Sequence, residues 1–197
     1  MAKIKTGHET GRLTGIAILS ALIIVLQALS NFVSFGTVSI TLALTPIIIG
    51  GAIYGPTVGA MLGFVLSCIV LVSGLLGWDK GFVIMLLGMN APGCLLIIFL
   101  KSTLAGWLSG LTFKAVESKN VQAATACSAI VCPIVNTGMF ILLMVLCFKD
   151  YMQQISNGQH VLLFAITAFV GVNFAVELVV NLVLSTGACR IIKSVKK

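Results

Sequence analysis

Leu44-Thr-Pro-Ile-Ile-Ile-Gly-Gly-Ala-Ile-Tyr-Gly-Pro-Thr-Val-Gly-Ala-Met-Leu-Gly63 is apolar on both sides of a single turn signal, Gly55-Pro56. Proline disfavours helical backbone in the residue before it, and glycine takes turn conformations freely. The dipeptide therefore ends one helix and opens the next. Upstream lies a short apolar span, about 39–54, which Pro46 and the Gly50-Gly51 pair are expected to loosen. Downstream, about 57–76 is long enough to cross a bilayer. Residues 39–76 contain no charged side chain. These are two consecutive helices in lipid.

The pattern extends over the chain in both directions. Further apolar spans run over about 12–34, 92–113, 121–148 (interrupted by Pro133) and 161–192. A shorter apolar piece, 82–89, meets Asn90-Ala91-Pro92-Gly93 and is too punctuated to continue as one straight helix. The hydrophobic fraction is 59 %, charged residues make up 9 %, and the mean hydropathy is +1.16. Spans and short connections use up the 197 residues, so the expectation is one transmembrane domain over 1–197. The fold class is an all-α integral membrane protein with six transmembrane helices. The first apolar run exceeds a signal-peptide core and is followed by more spans, so it is kept as a helix.

A net charge of +7 raises the question of nucleic acid, but the basic residues sit at the membrane ends of the spans. An orientation signal explains them better than a phosphate-tracking groove, and no nucleic-acid partner is expected. With a cytoplasmic N-terminus, the inner segments hold Lys3, Lys5, Arg12, Lys114, Lys119, Arg190, Lys193, Lys196 and Lys197. The outer segments hold Lys80 and Lys149. This asymmetry predicts a multi-pass protein of the cell membrane with both termini in the cytoplasm. The outward loops are then 35–38, 77–90 and 149–160, carrying Trp78, Asp79, Asp150, Tyr151, Gln153, Gln154 and Asn157. They read either as a lid over an outward-facing pocket or as an aromatic belt with solvated loops.

Two charges break the rule that charge stays at the ends. Lys101 lies thirteen residues before Lys114, and Glu177 thirteen before Arg190. At about 1.5 Å per residue both are about 20 Å deep, near mid-bilayer. A charge there costs about 2.5–3.5 kcal/mol or more unless paired or hydrated, which makes it a functional candidate. Asn136 falls in the same layer, with Asn173 and Asn181 one turn to either side of Glu177. Gln27 and Asn31 lie one turn apart near the outer end of the first span, and Asn90 caps the entry to the fourth beside Pro92. The candidate ligand contacts are Asn31, Trp78, Asn90, Lys101, Asn136, Asn173 and Glu177. The alternative reading is a structural ion pair and interhelical hydrogen bonds that fix helix register.

Small residues recur at packing distance, as Ala17-x-x-x-Ala21 in the first span and as the stripe Gly55, Gly59 and Gly63. Such stripes let a second helix approach the backbone, within the chain or from another subunit. The six cysteines (Cys68, Cys94, Cys127, Cys132, Cys147 and Cys189) form no C-x-x-C pair and lie apart from both histidines, so inert thiols and no metal are expected. Phosphate-loop, H-E-x-x-H and G-x-S-x-G motifs are absent, and one intramembrane carboxylate is too few for paired acid–base chemistry. Neither an enzyme nor a self-sufficient pump is expected, and no cofactor is implied.

The stretch from Leu44 to Gly63, Ala17-x-x-x-Ala21, Asn90-Ala-Pro-Gly93, Lys101-Ser-Thr-Leu-Ala-Gly106 and Cys132-Pro-Ile-Val-Asn-Thr-Gly138 resemble the S components of energy-coupling factor (ECF) transporters. The resemblance covers nearly the whole chain. It implies a six-helix S-component bundle that captures a vitamin or related micronutrient from outside. Delivery would follow docking on a transmembrane T subunit and two ATPase subunits, with ATP hydrolysis left to those partners. It also implies that Ala17 and Ala21 contact the T subunit and that the pocket lies toward the outer side. An anionic cargo such as pantothenate suits Lys101, and a neutral one such as riboflavin suits a lysine already held by Glu177. The alternatives are a small structural or assembly membrane protein and a self-sufficient secondary carrier.

Overall fold

In the computed structural model the chain runs as α1 (Ala2–Phe32), β1 (Ser34–Phe35), β2 (Val38–Ser39), α2 (Leu44–Tyr54), α3 (Pro56–Leu75) and α4 (Phe82–Met89). It continues as α5 (Ala91–Val116), α6 (Val121–Cys147), α7 (Lys149–Ile155) and α8 (Gly171–Val195). The strands pair antiparallel, with Ser34 opposite Ser39 and Phe35 opposite Val38. The structure describes residues 2–32, 34–35, 38–39, 41–156, 160, 163–164, 167 and 171–195. Side chains at 2–9, 31–32, 34–35, 38–39, 171–173 and 195 lie outside the description.

Five segments among the described residues are long and apolar enough to cross a membrane: Thr10–Ser30, Pro56–Leu75, Ala91–Val116, Val121–Cys147 and Phe174–Ser194. The span expected over 39–54 is instead an apolar helix of 11 residues, about 16 Å long. Much of the first part of the span expected over 161–192 falls outside the described residues. The stretch 149–155, expected to be part of a hydrophilic loop, forms α7, which buries Met152. Pro133 sits inside α6 without ending it, as intramembrane helices tolerate when neighbours cover the freed carbonyl.

Helix α2 occupies the middle of the bundle. Leu44 and every residue from Pro46 to Ala52 are buried, and α1, α3, α5, α6 and α8 pack against it. A helix that is apolar all round belongs in such a position. Pro46 stands in the first turn, where its missing N–H has no intrahelical partner to lose. The Gly50-Gly51 pair serves close packing. A Cβ on Gly50 would collide with Leu62, and one on Gly51 would stand 3.3 Å from the Gly110 Cα.

The glycine stripe of α3 meets a matching stripe on α5. A Cβ on Gly59 would strike the Gly106 carbonyl, one on Gly106 would strike the Gly59 carbonyl, and one on Gly63 would strike the Ser102 carbonyl. A Cβ on Gly110 would stand 2.7 Å from the Pro56 Cα. The two helices therefore run antiparallel with their backbones in contact, the small-residue packing available in lipid. Gly55 is not part of this stripe. Its φ of +99 and the open space around it mark it as the turn between α2 and α3.

The bundle has distinct ends. Ala52, Phe113, Ala124 and Ile192 form one buried cluster, which gathers the adjacent Lys114, Lys119, Arg190 and Lys193 at one end. Gly15 abuts the Tyr54 hydroxyl and brings Arg12 to that same end. At the opposite end Val83, Leu86, Cys94, Met144, Phe148 and Met152 join α4 and α7 to α5 and α6. Between the ends Leu22, Val25, Met61, Phe64, Val72, Leu142, Val179 and Val183 are exposed on the outside. That surface suits lipid, and the chain is a multi-pass membrane protein.

Candidate functional site

Asn136 and Ser102, both buried, meet across the α5–α6 contact, the serine hydroxyl donating to Oδ1 of the asparagine at 3.2 Å. One residue back, the Lys101 ammonium stands 5.4 Å from the centroid of the Phe140 ring, one turn along α6 from Asn136. A cation over a ring face keeps part of the stabilisation it loses on leaving water.

Glu177 faces this pair from α8. The residue is 6 % exposed, and its Oε1 is buried with no hydrogen-bond partner. Lys101 on α5 and Glu177 on α8 are side chains of opposite charge type, and among the described residues no ion pair joins them. The sequence places the two at one depth, and the helices that carry them both pack against α6. Asn181, one turn along α8, is already tied: Oδ1 accepts from the Thr45 hydroxyl at 3.0 Å, and Nδ2 donates to the Glu177 carbonyl at 2.8 Å. The Thr45 bond holds α8 against the start of α2, while the bond to the Glu177 carbonyl lies within α8.

The remaining candidates are distributed differently. Asn90 caps α5 as the sequence indicates, with Oδ1 accepting from the Gly93 N–H at 3.0 Å. Its Nδ2 donates to the Cys147 carbonyl at 3.2 Å, so the carboxamide ties the start of α5 to the end of α6. Asn90 thus belongs to the frame. Trp78 is 53 % exposed in the turn between α3 and α4. That turn is held by Asp79, whose carboxylate accepts from the Gly81 N–H at 3.1 Å and the Val83 N–H at 2.7 Å. Asn31 and Asn173 lie in α1 and α8, with side chains outside the described residues, as is Asn157. Gln27 is buried, and its Oε1 has no hydrogen-bond partner.

Ala17 and Ala21 are both exposed on α1. Their neighbours Ile16, Leu19, Ile23 and Leu26 turn inward to the core around α2 and α3. The alanine stripe consequently faces away from the bundle, along with exposed Ile18, Leu22 and Val25. Among the described residues, the stripe does not pack inside the bundle.

Sequence reasoning missed Ser102, Phe140 and Thr45. Ser102 was findable as the polar neighbour of an intramembrane lysine. Phe140 and Thr45 carry no local signal, because their roles depend on which helix lies opposite.

This arrangement combines three polar groups of different chemistry. It offers an ammonium, a carboxylate and an amide in apolar surroundings, and among the described residues no group of three metal-ligating side chains comes together. A search among curated proteins finds no match to the chain. Residues 11–187, in contrast, match the family model described as ECF transporter, substrate-specific component. That match spans most of the chain and includes every helix of the bundle in whole or in part. The chain belongs to the family of substrate-specific components of ECF transporters.

Proposed function

We propose that this protein is the substrate-capture subunit of an ECF-type importer. It binds a water-soluble vitamin or related micronutrient from outside the cell and delivers it when docked on a T subunit and two ATPase subunits. The observation that carries the reading is the buried Glu177 carboxylate, its Oε1 without a hydrogen-bond partner, opposite Lys101 within a chain of this family. Unmatched charge at this depth is costly, and a bound solute relieves that cost. Lys101, Asn136 and Glu177 are the proposed contacts, with Asn173 one turn from Glu177 on α8 and Asn31 on α1 as further candidates. Trp78 stands at the mouth. Both termini are cytoplasmic, because Arg12, Lys114, Lys119, Arg190 and Lys193 gather at one end of the bundle. The cluster with α4, α7 and Trp78 then faces outward.

A thermal-shift screen of the detergent-purified chain against water-soluble vitamins tests the binding step. A ligand at 100 times its Kd adds about 2.7 kcal/mol to the folded state, a rise in Tm of several degrees. A chain that no vitamin or micronutrient stabilises would contradict the reading.

A further inference from the structure

Lys101 on α5 and Glu177 on α8 are of opposite charge type on helices that both pack against α6, yet they do not close into a pair among the described residues. Two unit charges 4 Å apart attract by about 4 kcal/mol at an effective dielectric constant of about 20. Lysine has a flexible arm that adapts to such a partner. In a purely structural pair the ammonium would settle on the carboxylate. Instead the ammonium rests over Phe140, and the Glu177 Oε1 is left without any hydrogen-bond partner. Asn181 does not bond it: its Oδ1 accepts from the Thr45 hydroxyl and its Nδ2 donates to the Glu177 backbone carbonyl.

A separated pair of this kind has a definite charge preference. An anionic ligand would satisfy Lys101, leave Glu177 bare and give the site a net negative charge. A cationic ligand would do the reverse. A ligand with one charge of each sign satisfies both groups and keeps the buried site neutral, the condition under which desolvation of charges is best offset. We infer that the site takes a small zwitterion, its carboxylate or phosphate on the Lys101 ammonium and its cationic nitrogen on the Glu177 carboxylate, with the Asn136 amide beside them. The inference rests on the capture function proposed above and narrows its cargo by charge class. Pantothenate (an anion) and riboflavin (neutral) become the contrasting cases.

The test is equilibrium binding to the purified full chain of probes sorted by charge. The zwitterions are the standard amino acids with uncharged side chains and glycine betaine. The anions are pantothenate, biotin and nicotinate, the cation is thiamine and the neutral probe is riboflavin. The tightest binder is expected among the zwitterions, with Lys101→Met and Glu177→Gln each raising its Kd at least tenfold. Glu177→Gln is nearly isosteric and keeps its hydrogen-bonding capacity, so it reads the charge even if Lys101→Met fails to fold. A tightest binder from the anionic, cationic or neutral set overturns the zwitterion assignment and leaves the capture function standing. A zwitterion whose Kd is unchanged by Glu177→Gln also overturns it. Absence of binding by every probe overturns the capture function itself.

Discussion

Gly106→Leu is expected to abolish the folded, monodisperse protein, the largest effect of any single change at the α3–α5 contact. The side chain would enter space occupied by the Gly59 carbonyl and, 2.9 Å away, the Ile47 side chain. Overpacking a core typically costs about 1–3 kcal/mol, and the cost rises here because the obstruction is backbone, which cannot change rotamer. Separating α3 from α5 would also loosen α2, which both helices enclose. Gly138 is the control. It lies in α6, and a Cβ added there would find nothing within 4 Å. Gly138→Ala is therefore expected to be neutral or to stabilise by about 0.4–1 kcal/mol. Melting in detergent with size-exclusion profiles checks both. A Gly106→Leu protein that melts like the parent would mean that the two backbones do not touch.

Ala21→Trp, alone or with Ala17→Trp, is expected to reduce uptake to background while leaving ligand affinity within about twofold. The stripe is exposed and lies on the far side of α1 from Ile16, Leu19, Ile23 and Leu26. An indole there meets no neighbour within the bundle, so Tm and Kd have no reason to move. It does obstruct a second helix that must come close to the α1 backbone, the approach that small residues permit in lipid. Co-purification with the T subunit and transport by the assembled complex are the measurements. Loss of binding in parallel with transport would place the stripe inside the fold. Full transport by the double variant would remove it from the docking surface.

Much of this fold is legible in the sequence because lipid makes both backbone and charge expensive to misplace. The Gly55-Pro56 break, the start of α6 at Val121 and the capping by Asn90 follow from local chemistry alone. The depth of Lys101 and Glu177 could be counted from the nearest basic residues, and the helices that carry them both pack against α6. What the sequence hides is which groups the bundle itself uses. Asn90, Asn181 and Asn136 are the same residue type in apolar spans or at their edges. Two of them use both ends of the amide to bind helices, and only the tertiary arrangement shows it. The same holds for Gly106 and Gly110, whose role exists only because Gly59 and Pro56 lie opposite. The shortness of α2 is also tertiary: surrounding helices, not the bilayer thickness, set what it must satisfy.

A small structural or assembly membrane protein would show the same helices and the same glycine contacts. It would have no use for a buried carboxylate and a lysine held apart from one another, and Lys101→Met with Glu177→Leu would leave it unaltered. A secondary carrier would move solute without help. Cellular uptake of radiolabelled ligand separates these accounts from the present one most directly, measured with this chain expressed alone and again with a T subunit and both ATPases. The account predicts binding without accumulation for the chain alone, and accumulation that collapses on ATP depletion once the partners are present. Accumulation by the chain alone, indifferent to ATP, would contradict it.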